Sequence, residues 1–232
     1  MTRDRMNGII IGILYIAAAV TSVIAVVFYQ PVLSEKWYMS VANGFQTKVL
    51  IGVINDFLLV VTAIGTAVML FPYLRRWNEH IALGYLCFRF MEAVFIAIGL
   101  VSILGLLHLS THYEADSLTG EENLLTIGLM LQAFYRWTSM LGPNLMLGLN
   151  TIMYSYLLFR TGLVPKPLAL FGMITAALVF IAGLLEMFGA VEPFSTIKGL
   201  IALPVGVYEM SLAVWLIVKG FHKQKLEKLK VN

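Results

Sequence analysis

The sequence predicts an all-α, polytopic membrane helix bundle, and three observations carry that prediction. Hydrophobic residues make up 59% of the 232-residue chain and charged residues only 12%, with a mean hydropathy of +0.85; soluble domains carry roughly 25% charge. Apolar runs of about 20 residues, enough to cross a bilayer, recur along the chain. The basic residues collect in alternate connections between those runs.

Six transmembrane segments are expected within one integral membrane domain covering 1–232, at about 7–28, 48–71, 81–107, 124–159, 167–190 and 197–219. The first follows a basic start, MTRDR, and stays apolar through Val27 and Phe28. That is too long for the apolar core of a cleaved signal peptide, so it reads as an uncleaved first helix. The fourth has a capping-box signature, Thr119-Gly120-Glu121-Glu122, at its start. A helix from there to Phe159 runs for roughly 40 residues, about 60 Å, against a hydrocarbon core about 30 Å thick. It is therefore expected to project, tilt, or be broken or kinked near Gly142-Pro143, where proline loses a backbone bond and crowds the carbonyl of Ser139.

Charge asymmetry orients the chain. One set of connections holds Arg3, Arg5, Arg75, Arg76, Arg160, Lys166, Lys219, Lys223, Lys225, Lys228 and Lys230; the other holds Lys36, Lys48 and Lys198. The positive-inside rule then places both termini on the cytoplasmic side. The closing run KGFHKQKLEKLK reads as a topology anchor touching anionic lipid headgroups rather than a nucleic-acid contact.

Six ionisable residues fall inside the expected spans: Asp56, Arg89, Glu92, Arg136, Glu186 and Glu209. Facing lipid, they would cost roughly 15–20 kcal/mol together, so they must face one another or a wet cavity. Arg89 and Glu92 are three apart and share a helix face. Depth counting puts Arg89, Glu92 and Glu209 near the midplane and Asp56, Arg136 and Glu186 nearer the outer face. On the fourth segment Arg136, Ser139, Pro143, Asn150 and Tyr154 recur at a spacing of three or four, which adds Asn150 and Tyr154 to the candidate ligand-binding set. Gly52 accompanies Asp56, and Ala202, Gly206 and Ala213 accompany Glu209, as small residues that allow close helix approach. Four carboxylates against two arginines leave two acids without a fixed cation. Those acids, Glu209 with either Asp56 or Glu186, are candidates for proton binding.

Other chemistry is thinly represented. His108 and His112 are four apart with Glu114 and Asp116 nearby, but they sit in an outer loop without a zinc-protease motif and read as solvated side chains. No phosphate loop, nucleophile elbow or dinucleotide fingerprint is present, and no metal or other cofactor is indicated. The single cysteine, Cys87, excludes an internal disulfide and is expected to be a small core residue.

Three stretches, LFPYLRRWNEHIALGYLCFRFMEA, YSYLLFRTGLVPKPLALFG and LPVGVYEMSLAVWLIVKGF, resemble an uncharacterised bacterial six-helix membrane protein family, a domain of unknown function. The resemblance spans nearly the whole chain and implies a bacterial plasma membrane; it implies no activity, substrate or site residue. The residues themselves favour a protein that binds, and with proton coupling transports, a small polar or amphipathic ligand between its helices. Membrane lipids are its surroundings, and a small molecule or lipid is the expected ligand. In that reading Arg89 holds an anion or counter-ion, Glu92 orients it, Glu209 takes the proton, and Asp56, Arg136 and Glu186 form an outer gate. A membrane-embedded enzyme acting on a lipid or isoprenoid and a non-catalytic accessory protein are the alternatives, and the oligomeric state is left open.

Overall fold

The computed structural model describes residues 2–34, 36–37, 44–115, 121–193 and 195–231. They form α1 (Arg3–Leu33), α2 (Gln46–Leu74), α3 (Glu79–Ala115), α4 (Glu121–Met140), a π-helical segment (Leu141–Met146), α5 (Leu147–Thr161), α6 (Lys166–Met187), α7 (Thr196–Val218) and α8 (Lys223–Val231). No strand occurs among the described residues. Five of these helices, α1, α2, α3, α6 and α7, are each long and apolar enough to cross a membrane. The chain is thus an integral membrane protein. The fourth expected segment is helical from Glu121 to Thr161 but is divided by the π segment. Thr119 of the expected capping box and Asp116 lie outside the described residues, as do the side chains of His112 and Glu114.

Pro143 explains the change of helix type. It has no N–H to give the carbonyl of Ser139. The side chain of Asn144 donates to that carbonyl instead, at 3.1 Å. The backbone adapts with the wider i to i+5 turn that characterises π bulges. Gly142 completes the fit, because a Cβ there would lie 2.9 Å from Cβ of Phe95 and 3.2 Å from the carbonyl of Glu92. The widened turn is thereby pressed against α3 at the level of its buried charges.

Around the bundle α1 packs on α2, α2 on α3, α3 on α4, α5 on α6 and α6 on α7, and α7 closes the ring by packing on α1. α3 lies innermost, in contact with α1, α2, α4, the π segment and α5. Lipid tails give no hydrophobic advantage to helix association, so small residues and polar links must hold such a bundle together. Both are found where α1 meets α7. A Cβ on Gly12 would come 2.6 Å from Ile217 and 2.7 Å from the carbonyl of Ala213. Arg5 donates through Nη1 to the carbonyl of Leu216 at 2.8 Å and through Nη2 to those of Ile217 and Val218. These are last-turn carbonyls of α7, orphaned by the helix end and sitting at its negative pole. Asn7 donates to the Tyr73 hydroxyl at 2.8 Å, and that hydroxyl donates to Asp4 at 3.1 Å, tying α1 to α2 at the same end.

The larger apolar cluster fills this basic end, from Ile11 and Leu74 to Leu216, and takes in Leu226 of α8. The closing basic run is therefore an amphipathic helix whose Leu226 plugs into the bundle. Cys87 is exposed, contrary to its expected place in the core. It lies two residues from both Tyr85 and Arg89, so its side chain points to the opposite face of α3 from the inward stripe.

Replacing Gly12 with Leu should lower the stability of the folded protein by about 1–3 kcal/mol, the usual cost of overpacking, while Gly206→Ala, where a Cβ meets nothing within 4 Å, should be neutral. Thermal unfolding of both variants in one detergent checks the contrast.

Candidate functional site

The interior charges meet on four helices. Arg89, only 2% exposed, lies on α3 with its Nη1 3.0 Å from Oε2 of Glu92 one turn along. The same nitrogen is 3.7 Å from Oε1 of Glu209 on α7. Its Nε points to the carbonyl of Ala63 on α2 at 3.4 Å. Asn150 on α5 donates to Oε2 of Glu92 at 2.7 Å and to the carbonyl of Met146 at 2.7 Å. Arg89 is thus shared by two acids rather than left free for an anion.

A second pair lies toward the far end, where Lys198 on α7 is bonded to Glu186 on α6. Ser195 caps α7 by accepting from the Lys198 amide at 3.3 Å, which fixes the turn that carries the lysine. Glu186 is therefore held by Lys198, a cation expected in an outer connection. The signal was present, since Lys198 extends the stripe of Ala202, Gly206 and Glu209 by one turn.

The expected outer trio of Asp56, Arg136 and Glu186 does not assemble. Glu186 belongs to Lys198, and Arg136 is exposed on α4. The extra residue in the π turn explains the misplacement. A three-to-four spacing read back through Pro143 is out of phase by about one residue, and Tyr135, not Arg136, is buried. Asp56 is buried, lies in the field of Tyr29 and Tyr135, and forms no ion pair among the described residues.

These groups border a cavity of about 290 Å³. Arg89, Glu92, Asp56, Lys198 and Glu209 line it, together with Tyr135, Thr138, Ser139, Asn144 and the small residues Ala18, Ser22, Gly99 and Ala202. Oε1 of Glu209 is buried without a hydrogen-bond partner. On the basic side, outside the cavity lining, lies a floor of four fully buried tyrosines, Tyr15, Tyr85, Tyr154 and Tyr208. Tyr154 stacks on Tyr208 with ring centres 6.0 Å apart and meets Tyr85 at 5.3 Å and Tyr15 at 6.1 Å. Tyr208 shares a hydrogen bond of 2.8 Å with Ser155, whereas the other three hydroxyls have no partner. Tyr154 is the only one of the four among the expected site residues, and it sits in this floor rather than in the cavity wall. Nothing in the spacing of Tyr15, Tyr85 and Tyr208 marks them as one layer with Tyr154, because they come from different helices.

Residues 10–220 match the family described as a domain of unknown function, DUF4386. The chain belongs to that family. No curated protein and no solved structure matches it. Membership fixes kinship over most of the bundle and leaves the chemistry of the cavity to be argued from its own residues. No group of three or more metal-ligating side chains occurs among the described residues.

Arg89→Leu should destabilise the protein by about 3–5 kcal/mol, because it strands two buried acids; adding Glu92→Gln and Glu209→Gln should restore much of the loss. Unfolding midpoints of the single and triple variants would check this, and equal losses in both would show that the cation contributes packing alone.

Proposed function

We propose that this protein binds a small polar or amphipathic ligand in the cavity beside Arg89, Glu92, Asp56 and Glu209, and carries it across the membrane with proton coupling. The observation that supports this reading is the cavity itself. A purely structural set of ion pairs would be packed dry, whereas here the charges border about 290 Å³ of space, near the lower end of known ligand sites. In this reading the tyrosine floor is the barrier on the basic side, and the cavity represents one state of an alternating-access cycle.

In this reading the run from Glu121 to Thr161 is the fourth of six crossings, kinked at the π segment, and both termini face the cytoplasm of a bacterial cell. Glu209 is the proton-binding group, since its Oε1 faces the cavity without a hydrogen bond. Arg89 acts as the fixed counter-charge shared by Glu92 and Glu209, in place of the anion-binding role its sequence position implied. Asn150 holds Glu92 in place. Asp56 gives the cavity its second carboxylate. Arg136, exposed on α4, and Glu186, neutralised by Lys198, are left out of the ligand set.

Accessibility tests the reading without knowledge of the ligand. In a Cys87→Ser background, Ser139→Cys should react with a small cationic thiosulfonate added from the far side of reconstituted vesicles and not from the basic side. Failure to react from either side would mean a sealed interior and would count against any ligand role. In the same vesicles, acid-driven uptake should be lost in Glu209→Gln while the variant folds normally; unchanged uptake and pH dependence would remove Glu209 from the proton role.

A further inference from the structure

The polar cavity does not end at α1 and α7. Ala19, Ser22, Leu147, Ala202 and Glu209 also border a second space of about 1270 Å³, an apolar groove on the outer face of the bundle between α1 and α7. The two helices diverge like an open pair of scissors. They are locked at the basic end, where Gly12 touches the α7 backbone and Arg5 grips its last carbonyls. Toward the other end Gly199 and Gly206 face open space, with nothing within 4 Å of an added Cβ. Side chains such as Val23, Leu203 and Val214 line the groove and are more than half exposed. It is thus a lipid-facing surface leading to a buried carboxylate.

Resting on the binding reading above, we infer that the ligand is a single-chain amphiphile with a protonated amine head, which enters sideways from the lipid between α1 and α7. Size divides the molecule: the inner cavity has room for a small head group, and the tail must lie in the groove. Charge selects the head. Arg89 already faces Glu92 and Glu209, and Lys198 is bonded to Glu186, so neither cation is left without an acid. Asp56 has no ion pair among the described residues, and Oε1 of Glu209, a residue only 8% exposed, has no hydrogen bond. Both carboxylates line the inner cavity. An ammonium group supplies the cation that Asp56 lacks and the donor that Oε1 of Glu209 lacks, whereas an anionic head would add a charge to an already acidic pocket. Tyr135 and Phe95 in the wall add ring faces to which an ammonium is attracted. Glu209 stands at the junction, lining both spaces.

The test is equilibrium dialysis of radiolabelled dodecylamine, dodecanoate and butylamine against the full chain in phosphatidylcholine nanodiscs, with empty nanodiscs as the blank. Dodecylamine should bind above the blank and dodecanoate should not. Glu209→Gln should weaken dodecylamine by about tenfold or more, the weight of one charge-assisted hydrogen bond. Gly206→Leu fills the groove mouth without touching the cavity, and Val23→Trp does so from the α1 wall, since neither residue lines the inner space. Each should weaken dodecylamine to a similar degree and leave butylamine unchanged, and unaltered elution and melting would show that both variants fold. Dodecanoate binding as tightly as dodecylamine would overturn the charge argument. Dodecylamine binding untouched by both mouth variants would overturn lateral access. Butylamine binding in a Glu209-dependent way without dodecylamine would sink this inference yet keep a ligand in the cavity, while no binding of any probe together with an unreactive Ser139→Cys would sink both.

Discussion

A guanidinium held in the apolar centre of the bundle is the constraint on which the rest depends. Arginine stays charged inside proteins and cannot shed its charge to escape burial. Removing its hydration is costly unless acids and acceptors replace the water. Glu92 supplies one acid from the same helix, Glu209 a second from α7, and Ala63 a carbonyl from α2. Asn150 then secures Glu92 from α5. One cation thereby fixes the relative depth and rotation of four helices, in a solvent where apolar packing alone discriminates poorly between arrangements.

Those contacts set positions at one level of the bundle, and small residues decide how far the helices approach above and below it. Gly142 lets the π turn rest on the carbonyl of Glu92, and Gly12 lets α7 rest on α1 near the basic end. The same α1–α7 pair has nothing to close it near Gly206 and Gly199. The cavity is then a consequence of packing: tight at one end, held open by charged side chains at the centre, and splayed at the other end. Pro143 matters in this geometry because the wider turn it enforces turns Ser139 and Asn144 toward the cavity.

Much of this was legible in the sequence, for reasons that differ from residue to residue. Apolar length and the i, i+3 spacing of Arg89 and Glu92 are local properties, and both carried through to the structure. The meeting of Arg89 with Glu209 was legible from depth alone, since each lies near the middle of its segment. Arg136 was misassigned because periodicity was carried across a π segment, which shifts the phase of one half-helix against the other. Lys198 was missed because it sits within the first turn of α7, where a lysine ordinarily marks the membrane boundary; only its bond to Glu186 on α6 shows that it turns inward. The tyrosine floor was invisible as a unit, since Tyr15, Tyr85, Tyr154 and Tyr208 come together only through tertiary packing.

Correcting those positions leaves the charge balance of the interior unchanged in number but alters its meaning. Lys198 takes the place of Arg136, so two cations still face four carboxylates. Each cation is now committed at a known place, Arg89 to Glu92 and Glu209 and Lys198 to Glu186. The acidic surplus falls on Asp56 and Glu209, which border the same cavity from α2 and α7. Structural ion pairs have no need of such a surplus, because an acid without a cation lowers the stability of the packed state. A surplus gathered at one cavity is better accounted for by something that neutralises it in use, a proton or a cationic head. In the proposed reading, the open side of the α1–α7 pair is the route by which a membrane-borne cation would reach it.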